Sequence, residues 1–199
     1  MDKLRCYHFN NFYFPGIHAG IQSHHSFMEI YNKYKNDRDS IQFHTMDEWA
    51  EDYKTVVVLN GGMQCHLEEM DSFLDNEHNN FPWASFREAK EAANNTMTNV
   101  GIILPDSIFK MSRLIANNHP EVLGSRGVGD GIVFNNGELK ILVVDEGIIV
   151  DFNPKKDGFS LVELILDDPF ESDFKLDSHF YSHFEVEFMA RLSMCSLAN

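Results

Sequence analysis

Short runs of apolar and polar positions organise the first hundred residues into alternating strand and helix patterns. Arg5–Phe14 is short, aromatic and closed by Pro15-Gly16, which predicts a first strand. Ile17, Ile21, His24 or His25, Met28 and Tyr31 recur at three- and four-residue steps, so His18–Tyr34 is expected to be a helix. The polar stretch Lys35–Thr45 leads to a short helix around Met46–Tyr53. Thr55–Leu59 is a continuous run rich in β-branched residues, which suits a central strand buried on both faces, and Asn60-Gly61-Gly62 breaks it. Leu67, Met70, Phe73 and Leu74 mark a helix with one apolar face. Trp83–Phe86 and Val100–Leu104 read as two further strands, the last ended by Pro105.

The pattern changes after Pro105. Asp106 is a suitable N-cap for a helix through Ile108, Met111, Leu114 and Ile115 that ends near Asn117–Pro120. Ile132–Phe134 and Leu139–Val144 flank Asn135-Asn136-Gly137, a hairpin turn signal, and Ile148–Phe152 and Phe159–Leu166 add two strands. A final helix is expected within Ser182–Leu197, with Phe184, Phe188, Leu192 and Cys195 on one face. The fold class is therefore α/β: a mixed sheet with packed helices, followed by an antiparallel β meander with flanking helices. The first domain is expected over 1–105 and the C-terminal extension over 106–199, with a soft boundary near Asp106 to Gly124. No long linker separates them, so the extension is expected to pack on the domain.

Composition narrows the partners. The 199 residues are 43% hydrophobic, enough for a sizeable core and against global disorder. A formal net charge of -15 repels polyphosphate at long range, so non-specific nucleic-acid binding is not expected. Cys6, Cys65 and Cys195 are scattered and form no C-x-x-C, which argues against a disulfide framework and fits a reducing compartment. No run of about 18 apolar residues occurs, and the N-terminus lacks a signal-peptide pattern. A cytoplasmic protein with no membrane partner is expected.

Chemistry concentrates on the helix after Pro15. His18, Gln22, His25 and Glu29 fall at i, i+4, i+7 and i+11, one stripe of a helix. Two imidazoles, an amide and a carboxylate so placed suit the orientation of a water or a polar ligand. A solvated face would produce the same spacing. Gly124–Gly131 lacks the lysine and the following helix of a phosphate loop, so it reads as a turn before a hairpin. His179 and His183 stand four apart, permissible for a metal pair on a helix, but their aromatic neighbours point to packing. Cys65 beside His66 lacks the rest of a triad. No metal or cofactor is expected.

Phe14–Tyr34 (FPGIHAGIQSHHSFMEIYNKY), TVVVLNGG at 55–62, the helix at Leu67–Leu74 and FREAKEAANNTMTNVGIILP at 86–105 occur in an order and spacing that resembles the archaeal and eukaryotic type of peptidyl-tRNA hydrolase, type 2. The resemblance covers about the first 105 residues. Gln22 and His25 match the Gln and His of the family's Ala-Ala-Gln-x-x-His, with Gly20 and Ile21 where the alanines would be. Glu88 stands for the family's acidic residue, and Thr96 or Thr98 for its threonine. Gly16 and His18 stand where the family has loop lysines.

The resemblance implies a hydrolase of an aminoacyl or peptidyl ester. His18, His25 and Glu88 would orient the attacking water; Gln22, Glu29, Thr96 and Thr98 would bind the substrate, a tRNA or a nucleotide-containing small molecule. The alternative is a catalytically divergent relative acting as a binding protein, with a protein partner at the C-terminal half. The small size, many Asn and Phe residues and unusual C-terminal half resemble phage proteins that target host tRNA or defence functions. A homodimer through exposed sheet edges is a third reading.

Overall fold

A computed structural model of the chain describes residues 3–124, 132–135, 139–145, 147–151 and 178–197. It is a mixed α/β protein that divides into two compact units, Met1–Ile108 with Met194–Asn199, and Phe109–Ser193. Among the described residues no helix is long and apolar enough to cross a membrane.

The first unit runs β1 (Leu4–Asn11), α1 (Ile17–Tyr34), α2 (Ile41–Glu48) with a π-helical turn at Trp49–Tyr53, β2 (Val56–Gly62), α3 (Gln64–Leu74), β3 (Trp83–Arg87), α4 (Lys90–Ala93) and β4 (Met97–Pro105). Its sheet has the order β2-β1-β4-β3. β1 pairs parallel with β2, across the α1–α2 crossover, and antiparallel with β4, which pairs antiparallel with β3. The first strand ends at Asn11, short of the expected Phe14, because Asn11 Oδ1 accepts the Tyr13 N–H at 3.1 Å and turns the chain. α2 starts earlier than expected, since Ser40 Oγ caps it by accepting the Phe43 N–H at 3.1 Å.

The expectation that Thr55–Leu59 forms a central strand is overturned: β2 lies at the sheet edge, with Val56 exposed. β-branched residues favour extended backbone wherever it sits, and burial is decided by neighbours that the run itself does not encode. The central strands are β1 and β4, and every position of β4 before Pro105 is buried. The edge is met by the last described residues, where Asn60 N–H donates to Ser196 O at 2.8 Å and Leu59 bridges Leu197.

Strand alternation sends Leu4 and Cys6 of β1 and Ile103 of β4 into a core with Ile30 of α1, Met46 and Trp49. Tyr7 and Phe9 point to the other face, where α3 buries Leu67, Met70 and Leu74. Full burial of each such side chain stabilises by about 1.5–3 kcal/mol.

α5 (Asp106–Asn118) follows β4 directly, and the division between the units falls within it, after Ile108. The second unit continues through α6 (Pro120–Gly124), β5 (Ile132–Asn135), β6 (Lys140–Val144), β7 (Gly147–Asp151), β8 (Ser178–Ser182) and α7 (His183–Ser193). The four strands form an antiparallel sheet in chain order. The expected strand at Phe159–Leu166, Asn136-Gly137 of the hairpin turn and most of Gly124–Gly131 lie outside the described residues. α7 buries Phe184, Phe188 and Leu192, but it ends at Ser193, so Cys195 lies beyond the expected helical face. His179 belongs to β8 and His183 opens α7, so the two do not share a helix.

Ser182 and Glu185 close the start of α7 reciprocally. The Ser182 N–H donates to Glu185 Oε2 at 2.8 Å, and the Glu185 N–H donates to Ser182 Oγ at 3.3 Å. Ser182→Ala is expected to lower stability by about 1 kcal/mol in urea denaturation, with Glu185→Ala close to it and the double variant less than additive.

Candidate active site

α1 inverts the amphipathicity expected of it. The residues it buries are Ala19, Gln22, Ser23, Ser26 and Ile30, mostly small or polar. The apolar recurrence that marks the helix, Ile17, Ile21, Met28 and Tyr31, faces solvent. Polar groups on a buried helix face must find partners, since each one left unpaired costs about 1–3 kcal/mol. Ser23 Oγ donates back to Ala19 O at 2.8 Å, and two side-chain networks supply the others.

One network joins β1, β4 and the middle of α1. Ser26 Oγ donates to Asn99 Oδ1 at 2.7 Å, and His8 Nδ1 lies 3.0 Å from the same oxygen and 2.8 Å from Ser26 Oγ. Cys6 Sγ lies 3.1 Å from His8 Nε2. One protonation pattern satisfies all of these contacts: Nδ1–H donates toward Asn99 and Ser26, while Nε2 accepts the Cys6 thiol proton. Burial pushes the Cys6 thiol well up, keeping its proton in place, and pushes His8 down to about 4 against the hydrogen bond it donates to Asn99, which raises it. Gly101, opposite His8 in register, makes the room: a Cβ there would lie 2.9 Å from Ser26 Oγ and 3.0 Å from the His8 ring.

The other network lies one turn toward the start of α1. Thr98 Oγ1 donates to Gln22 Oε1 at 2.7 Å, and Gln22 Nε2 donates to Glu88 Oε1 at 2.7 Å. Thr98 and Asn99 are neighbours on β4, yet both reach α1. The register explains how: Phe86 pairs with Asn99 and Arg87 with Met97, so Thr98 is an extra residue and the ladder bulges there. A bulge re-aims a side chain that strict alternation would send to the opposite face. Gln22 is buried and used at both ends, so its amide orientation is fixed by its partners, and Glu88 is half-buried with one oxygen held.

The candidates therefore separate. Gln22, Thr98 and Glu88, widely spaced in sequence, are joined by hydrogen bonds. His25 stands beside them, its ring edge-on to Phe86 with centroids 4.6 Å apart. The expected polar stripe runs along α1, but only part of it meets the sheet: Gln22 is buried and His25 half-buried, whereas His18 and Glu29 are exposed, and neither has a side-chain hydrogen bond among the described residues. Thr96 serves the turn before β4: its hydroxyl donates to Ala93 O at 2.5 Å, and its own carbonyl accepts the Glu88 N–H at 3.0 Å. Arg87 is turned to α3, 3.1 Å from Glu68. Among the described residues no group of three His, Cys, Asp or Glu side chains stands ready for a metal ion.

Sequence reasoning missed His8, Ser26 and Asn99, and also Asn10 and Asn11, which hold the loop before α1. Asn10 Nδ2 donates to Phe14 O at 2.6 Å, and Asn11 Nδ2 to Met97 O at 2.9 Å. The available signal was a set of polar residues at inward positions of strands otherwise apolar. Comparison with protein-family models and with curated protein sequences gives no match.

His8 links the first network to pH. The unfolded chain takes up a proton on this residue near 6.5, the folded chain only near 4. Between those values the unfolded state binds more protons, so stability is full above 6.5 and falls as the pH drops toward 4. At about 1.4 kcal/mol per unit, His8 removes roughly 3 kcal/mol over that window. Urea titrations at several pH values read the slope, and imidazole ¹⁵N shifts check that His8 stays the neutral Nδ1–H form above pH 5.

Proposed function

We propose that the first unit is a hydrolase of the peptidyl-tRNA hydrolase type, cleaving an aminoacyl or peptidyl ester of tRNA or of a nucleotide conjugate. The observation that carries this reading is the chain Thr98–Gln22–Glu88. The three residues come from β4, from α1 and from the connection after β3, and they occupy positions that the sequence resemblance assigns to substrate binding and to the acidic catalytic group. Polarity runs one way along the chain, from hydroxyl through amide to carboxylate, so each bond strengthens the next. A carboxylate held on one oxygen presents the other to a water molecule. It takes a proton as the water attacks the ester carbonyl and returns it to the leaving hydroxyl. His25, packed on Phe86 next to Gln22, positions the substrate or donates to the developing oxyanion.

The scattered cysteines, with no C-x-x-C among them, and the proposed substrate fit the cytoplasm. A second reading, a non-catalytic binding protein, is favoured by the exposed apolar face of α1.

Purified full-length chain incubated with N-acetyl-aminoacyl-tRNA is expected to release the N-acetyl-amino acid faster than spontaneous hydrolysis. Glu88→Gln is expected to lower that rate at least about 100-fold, with an unchanged melting curve. A wild-type chain that releases nothing above background, or a Glu88→Gln variant as fast as wild type, refutes the hydrolase.

A further inference from the structure

The outer face of α1 is explained by neither the core nor the candidate site. Ile17, Ile21, Met28 and Tyr31 line one side of the helix, and Phe12 and Tyr13 in the loop before it form an edge-to-face pair with centroids 5.7 Å apart. These six side chains are between 39% and 78% exposed. The loop that presents the aromatic pair is held in place: Asn10 and Asn11 bond its backbone from inside the sheet. The patch is thus a fixed surface, and its position opposite the buried polar face of α1 means that rotating the helix cannot hide it.

We propose that this face is the interface of a homodimer, in which α1 packs antiparallel against α1 of a second copy about a two-fold axis near His24. Area supports a second copy. At about 200 Å² for a large side chain, the six expose on the order of 650 Å², so a self-complementary pairing buries about 1,300 Å² from these residues alone. A specific protein interface takes roughly 1,200–2,000 Å². A lone protein surface rarely leaves a contiguous apolar patch larger than about 600 Å².

Charge selects the same face. Two copies that each carry a net charge of -15 repel over most of their surfaces. α1 carries a single acidic side chain, Glu29, and a single lysine, Lys33, so it is a face on which two copies meet without stacking carboxylates. The spacing is self-complementary. Antiparallel pairing centred at His24 sets Ile17 opposite Tyr31 and brings Ile21 within one residue of the level of Met28. A two-fold axis brings the same flank of each helix together, so His18 of one copy lies beside Glu29 of the other, twice. Gly20 beside the stripe has open space around it, which lets the helices approach closely. This pairing differs from strand addition at a sheet edge, and it rests on no assumption about catalysis.

Sedimentation equilibrium of the full chain from about 1 to 100 μM tests the proposal. The expected species has twice the 22.9 kDa chain mass, and the double variant Ile17→Glu, Ile21→Glu is expected to weaken association at least about 100-fold while keeping the far-ultraviolet spectrum of the wild type. In a Cys65→Ser background, His24→Cys is expected to give a covalent dimer with a short bismaleimide, and the background alone is not. A wild-type chain that stays at the monomer mass at 100 μM overturns the proposal, as does a folded double variant that remains dimeric. A dimer in which residue 24 does not cross-link overturns the antiparallel pairing.

Discussion

The placement of α1 depends on one constraint: polar side chains on its buried face have to be satisfied by the sheet beneath. Ser26 and Gln22 cannot turn outward without carrying the whole helix with them, and they cannot stay buried without Asn99, His8, Thr98 and Glu88. Hydrogen bonding here specifies position, where an apolar face would have allowed the helix to slide. Leu4, Cys6, Ile30, Met46, Trp49 and Ile103 supply the apolar burial beside it, but they would tolerate small shifts that the 2.7 Å contacts of Ser26 and Gln22 would not. The bulge at Thr98 and the missing side chain at Gly101 are the backbone features that let both networks fit under one helix.

This arrangement explains how far the sequence could be read. Helices and strands of the first unit were legible because turn residues and apolar periodicity are local signals. The direction in which α1 faces was not, because periodicity marks a helix without saying which side meets the sheet. Hydrophobic stripes face inward in most helices, and here the inward side is Ala19, Gln22, Ser23 and Ser26. The same limit applies to Thr55–Leu59, whose composition marks a strand but not its rank in the sheet.

The candidate site was legible in part. Gln22, Glu88 and Thr98 were singled out through a likeness in motif order, and the structure bonds them together. Spacing on α1 added His18 and Glu29, which share a helical stripe with Gln22 but lie further round the outside. A stripe on a helix wheel is broad, and only the sheet decides where its buried margin runs. Thr96 and Thr98 could not be told apart, since a one-residue bulge decides which threonine reaches Gln22.

The return of the chain at Ser196 and Leu197 to the edge of β2 bears on the order of synthesis. The ribosome makes β2 early, yet the backbone N–H of Asn60 has its partner only after Phe109–Ser193 has been translated. At about 5–20 residues per second, that edge waits on the order of ten seconds. During that interval the backbone of Leu59 and Asn60 on the outer edge of β2 stands open on the nascent chain, available to any other extended segment.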